Sequence, residues 1–157
     1  MKGLYISIFV LAAFVSNAQT GLYNKLSSYL TNQTNEVVTN RLIAVNLWSV
    51  NDKNSRDLNI EFEKAYKVYE YAKLKGGSKG IIFVNIGVGN TTNLEIALKK
   101  DGIIKSYRIA ADNVDILKEL AGQKAGYNIV FDSNGNKVYE NLTSGSIYNS
   151  IQQLITR

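Results

Sequence analysis

Asp52-Lys53-Asn54-Ser55-Arg56 gathers a carboxylate, an ammonium, an amide, a hydroxyl and a guanidinium in one short stretch, the densest set of chemistry-bearing groups in the chain. An apolar run of strand length, Leu42 to Trp48, precedes it. From Asp57 to Leu74 apolar side chains recur at helical spacing, at Leu58, Phe62, Ala65, Tyr69 and Ala72, with Gly76-Gly77 as the stop. The cluster lies between that strand and the helical stretch, and a carboxylate such as Asp52, where it stands at a helix start, accepts unpaired first-turn N–H groups as an N-cap. Read as chemistry, Asp52 and Lys53 would be an acid/base pair, but adjacent side chains diverge at a helix start. Ser55 would be a nucleophile, yet no histidine or placed lysine is there to activate it, so a second-choice cap or a helix-surface hydroxyl is expected.

What is missing narrows the chemistry further. Cysteine, histidine and proline are absent and the single methionine is Met1, which excludes thiolate nucleophiles, Ser-His-Asp triads, thiolate or histidine zinc sites and disulfide exchange. No catalytic residue, cofactor or metal is assigned. Two other patterns fail on inspection. Gly87-Val88-Gly89-Asn90-Thr91-Thr92 follows a strand and opens a helix, but it lacks the third glycine of a dinucleotide fingerprint, so a turn with Asn90 or Thr91 as helix cap is expected. Asp132-Ser133-Asn134-Gly135-Asn136 has the oxygen spacing of a calcium loop without its closing glutamate, and its Asn-Gly marks a hairpin.

These segments need elements to hold them. Leu22, Leu26 and Leu30 fall on one face of a short helix, followed by a polar stretch over residues 31–36 that reads as a loop. Ile81 to Ile86 is a second buried strand, then come a helix over Asn93 to Lys99, a strand over Ser106 to Ala110 and a helix from Asn113 to Ala121. Tyr127 to Phe131 and Lys137 to Asn141 flank the Asn-Gly turn, and a last helix carries Ile147, Ile151, Leu154 and Ile155. The order is that of an α/β domain with a central mixed β-sheet flanked by helices. A length of 157 residues with 45% hydrophobic and 20% charged side chains suits one such domain.

The first residues read as an address. Lys2 is followed by an apolar run, Leu4 to Val15, and by Ser16-Asn17-Ala18, which predicts a leader over residues 1–18 cleaved before Gln19. The run, about twelve residues, is shorter than the roughly twenty that cross a bilayer, so no stable membrane insertion is expected after cleavage. With no cysteine, a lipoprotein anchor is excluded, and the expected location is a periplasm or the cell exterior. The formal charge of +5 is mild. Lysines from Lys64 to Lys79 interleave with Tyr66, Tyr69 and Tyr71, but Glu61, Glu63 and Glu70 among them make this a solvated helix face, and no nucleic-acid partner is expected.

Val45-Asn46-Leu47-Trp48-Ser49-Val50-Asn51 running into Asp52-Lys53-Asn54-Ser55-Arg56 resembles the thioredoxin-like fold of the exported TlpA/redoxin (AhpC/TSA-like) thiol-disulfide oxidoreductases. In that group a V-N-F-W-A-x-W strand enters C-x-x-C-R and a helix, and Asn46, Trp48 and Arg56 match. Ile129-Val130-Phe131-Asp132 with Gly135 resembles a later family segment, a strand ending in Asp with Gly three residues on. The resemblance implies a thioredoxin-like domain over residues 41–157, preceded by an N-terminal helix and loop over residues 19–40. It also places Asp52 and Ser55 where the family has its cysteines, Asn51 for a second tryptophan, Ile60 for a helix proline and Gly126 for the cis-proline. A cis bond before glycine costs about 3 kcal/mol, so a trans Ala125-Gly126 bond and a remodelled loop are expected. The resemblance thus implies the fold without its redox chemistry. Two readings follow: a non-catalytic module that binds a protein or peptide partner, or an enzyme with repurposed non-thiol chemistry around Asp52, Lys53 and Ser55.

Overall fold

The computed structural model describes residues 21–34, 38, 41–75, 80–109 and 113–155. The predicted leader and the Gly76-Gly77 stop lie outside them. Helix α1 occupies residues 21–34, and β1 (Leu42–Ser49), α2 (Lys53–Tyr69), β2 (Ile81–Val88), α3 (Thr91–Lys100), β3 (Tyr107–Ile109), α4 (Val114–Glu119), β4 (Asn128–Phe131), β5 (Lys137–Glu140) and α5 (Ile147–Gln153) follow. The strands form one mixed sheet in the order β3-β2-β1-β4-β5. β1 pairs in parallel with β2 from Leu42↔Ile81 to Ser49↔Val88, and antiparallel with β4. β2 pairs in parallel with β3, and β4 antiparallel with β5.

The central strands are covered on both faces, which is why β1 and β2 read as near-continuous apolar runs. On one face Ile43, Val45 and Leu47 with Ile82, Val84 and Ile86 pack with Leu22, Leu26 and Leu30 of α1 and with Ile116 of α4. On the other, Leu42, Ala44, Ile81 and Phe83 meet Leu58, Phe62, Ala65, Tyr66 and Tyr69 of α2 and Ile147 and Ile151 of α5. Phe62 stacks on Phe83 with ring centroids 4.9 Å apart. Burying such side chains stabilises the fold by about 1.5–3 kcal/mol each relative to leaving them exposed.

Several boundaries differ from those expected. α1 runs through Thr34, so the first four residues of the polar stretch are its last turn, and Thr34 Oγ1 donates back to the Leu30 carbonyl at 2.9 Å. α2 begins at Lys53 and ends at Tyr69; the chain then turns, and Leu74 is buried by a bridge to Ile155 rather than by a helix. Ala72, three residues past Tyr69, keeps the helical spacing but lies beyond the helix, so the periodicity overran its end. Between β4 and β5 the Gly135 N–H closes a turn onto the Asp132 carbonyl at 3.1 Å, with Gly135 at φ +80°. A Cβ there would also lie 2.9 Å from the Tyr23 ring, so glycine is required both by the turn and by the approach of α1.

Candidate functional site

The carboxyl end of β1 delivers the chain to the amino end of α2. Asp52 is extended, at φ −101° and ψ 100°, and its Oδ1 accepts the Ser55 N–H at 2.7 Å, the expected N-cap. The Ser55 Oγ donates to the Asp52 carbonyl at 2.9 Å and accepts the Ser49 N–H at 3.2 Å. Asn46, on β1, donates its Nδ2 to the Ser55 carbonyl at 2.9 Å and to Asn59 Oδ1 at 2.7 Å. Strand and helix are thereby locked together below the surface.

That geometry gives each member of the cluster a hydrogen-bond partner or an exposed position. Ser55 is fully buried and hydrogen-bonded, so it is neither a helix-surface hydroxyl nor an accessible nucleophile. Lys53 does not join Asp52; its Nζ donates to Asp57 Oδ2 at 2.5 Å on the exposed side of α2. Arg56 makes a two-point ion pair with Asp101 at the carboxyl end of α3, which holds its pKa above the ordinary guanidinium value. Asn51 and Asn54 are exposed. Trp48 is buried, packed on Leu94, Ala97, Leu98 and Ile103 with Val50 and Ile60 against it.

Gly126 reaches the same place from β4. Its N–H donates to the Leu47 carbonyl at 2.7 Å, and the Leu47 N–H donates to the Tyr127 carbonyl at 2.9 Å, so the loop before β4 is tied to the end of β1. Gly126 adopts φ +95°, and every described peptide bond is trans. Nearby, Tyr127 Oη donates to Glu140 Oε1 at 2.6 Å. Burial, with that carboxylate, raises the phenol, while the bonds from Tyr127 and Lys137 hold Glu140 below its ordinary range.

Two features were not anticipated. Asn46 stands in register with Asn85 and with Asn128, and Asn85 with Arg108, so one polar row crosses four strands. Asn85 Nδ2 donates to Ser106 Oγ at 2.6 Å, and Asn128 exchanges bonds with the Leu142 backbone at 2.9 Å each way. The signal was an asparagine between large apolar or aromatic residues in three strand segments, Val45-Asn46-Leu47, Val84-Asn85-Ile86 and Tyr127-Asn128-Ile129. The second is Glu63, buried in α2, whose Oε1 accepts the N–H groups of Ile104 at 3.1 Å and Lys105 at 2.8 Å and whose Oε2 accepts that of Ser106 at 3.0 Å. Its signal was the Ser55, Asn59, Glu63 spacing, a polar seam one turn apart along a helix.

Among the described residues no group of three or more histidine, cysteine or acidic side chains could hold a metal. None of their helices is long and apolar enough to cross a membrane.

The architecture is that of the thioredoxin-like fold. No family model and no curated protein matches the chain. Solved structures do. The thioredoxin domain of a thiol-disulfide oxidoreductase from Bacteroides vulgatus superposes with a TM-score of 0.62 at 16% identity, over 75% of this chain and 81% of that one. A thiol-disulfide oxidoreductase from Bacteroides fragilis gives 0.60 at 17% identity, over 78% and 88%. A secreted disulfide oxidoreductase from Mycobacterium tuberculosis gives 0.61 at 7%, over 74% and 84%. The shared property is the fold, and this chain carries it without a cysteine.

Proposed function

We propose that this protein is an exported, redox-inactive thioredoxin-like module that binds a protein or peptide partner at the carboxyl end of β1. One observation carries the reading: both positions that resemble the family's cysteines are spent on backbone hydrogen bonds, Asp52 capping α2 and Ser55 joining α2 to Ser49. The frame is kept while no sulfur remains to exchange electrons. Exposed Asn51, Lys53 and Asn54 leave a polar rim on that end of the sheet for contact.

Export rests on the leader read in residues 1–18, and the secreted Mycobacterium tuberculosis structure with the same fold is consistent with it. Intact mass of the protein recovered outside the cytoplasm should correspond to a chain starting at Gln19; an exported form keeping Met1 to Ala18 overturns the address. Binding is tested by presenting envelope extract to the immobilised wild type and to the Asn51→Arg, Asn54→Arg double variant. A partner retained by the first and lost by the second supports the site, whereas equal retention by both removes it.

A further inference from the structure

Beyond the α2 loop, the structure holds a separate enclosure on the α3 side of Trp48. Gly87 stands in register with Trp48 near the carboxyl ends of two parallel strands. A Cβ on Gly87 would lie 2.7 Å from Leu94, so the missing side chain is what lets α3 close down on the sheet. A pocket of about 220 Å³ remains between α3, β2 and β3. Its buried floor sets Trp48, Leu94, Leu98 and Ile109 beside the polar Asn85, half-buried Tyr29 of α1 closes one side, and Thr91, Glu95 and Arg108 stand at its exposed rim. That volume is below the roughly 300–1,000 Å³ of drug-sized sites, so a dinucleotide is excluded by size and a fragment-sized guest is admitted.

The lining keeps an acceptor in Asn85 Oδ1, since its Nδ2 is spent on Ser106, and beside it several donors are left over for a guest. Trp48 Nε1–H is buried and has no acceptor among the described residues. The first amides of α3 have no intrahelical acceptor, and the Asn90 side chain is already spent on the Asn93 N–H. Arg108 uses its guanidinium on Glu95 and on the Ile103 carbonyl, which leaves further N–H groups of its five. The rim carboxylate, Glu95, is paired, and with side-chain exposures of 39% and 51% the Arg108–Glu95 bridge costs little to open.

We infer that this pocket binds a small organic carboxylate, with Arg108 and the amino end of α3 holding the carboxylate and the buried floor beside Trp48 taking its apolar body. The guest exchanges with Glu95 for the guanidinium. Trp48 is the sole tryptophan of the chain, so its fluorescence and its single indole N–H resonance report this pocket alone.

The probe is benzoate, with benzylamine as the cationic counterpart, titrated into the full chain. Benzoate should give a saturable change in both signals with a Kd on the order of 1 mM, set by the few atoms of the probe, and benzylamine none. Arg108→Gln should weaken benzoate about tenfold. Because Arg108 also holds the Ile103 carbonyl, Glu95→Gln on the exposed face of α3 is the second arm, and it should tighten benzoate by about threefold by freeing the guanidinium. No saturation by benzoate, an equal response to benzylamine, or an unchanged or weaker affinity in Glu95→Gln overturns the assignment.

Discussion

Gly126 shows how much one backbone angle decides. It sits at φ +95° and donates its N–H to Leu47, and a Cβ there would meet nothing within 4 Å. Gly126→Ala is therefore charged only for the left-handed backbone, about 1 kcal/mol. Gly126→Pro must leave that angle and give up the bond to Leu47, for about 3 kcal/mol or more. Urea denaturation of the two variants separates these costs, and equal midpoints would contradict the angle. At Asp52 the backbone N–H of Ser55 is available to whatever side chain stands there. In an Asp52→Cys, Ser55→Cys variant the thiol at position 52 should titrate below the free value of about 8.5, because the helix amino end favours the thiolate. Insulin reduction by that variant should be weak, and adding Gly126→Pro should lower it further. Titration of the thiol at its free value would contradict the helix start.

α2 works on two sides. Leu58, Phe62, Ala65 and Tyr66 face the sheet, while Arg56, Glu63, Lys67 and Glu70 form a stripe that grips the connection from α3 to β3 through Asp101, the backbone of residues 104–106, the Gly102 carbonyl and Lys105. Glu63 is the centre of this grip. Burial pushes its carboxyl up, but the three backbone N–H groups and Lys67 outweigh burial and hold it below the usual carboxylate range. A carboxylate with a depressed folded-state pKa stabilises above its unfolded value, about 4.3, and that contribution is lost as pH falls through the folded value. Glu63→Gln should cost about 2–3 kcal/mol at neutral pH, since a neutral amide offers one acceptor oxygen and turns an N–H toward other N–H groups. The gap between wild type and variant should close as pH drops below about 4.3, read from urea midpoints against pH. A gap that stays constant with pH would remove the charge from the argument.

At the scale of the molecule, β1 is shared by the cores on both faces of the sheet, and Trp48 at its end belongs to a third cluster with α3. The faces cannot separate without exposing that strand. Unfolding followed by Trp48 fluorescence and by far-ultraviolet circular dichroism should trace one coincident transition, whereas an earlier fluorescence change would mean that α3 detaches first. Much of this architecture was legible in the sequence. The two long apolar strands, the Asp52 cap, a cap at Asn90 or Thr91, the Asn-Gly hairpin and the loss of thiol chemistry are all written in neighbouring residues or in composition. Caps and turns are hydrogen bonds between residues two to four apart, and an apolar run reports burial directly. Tertiary structure alone decided that Ser55 is buried and that Gly126 lies at φ +95°. It also decided that Glu63 holds residues 104–106 and that three asparagines and Arg108 share one row. Ser55 is held by Asn46 and Ser49 across the β1–α2 connection, and the others are set by partners far along the chain, as with the separation of 43 residues between Glu63 and Ser106. No local preference encodes such a pairing, which exists only once strand order and register have brought the segments together.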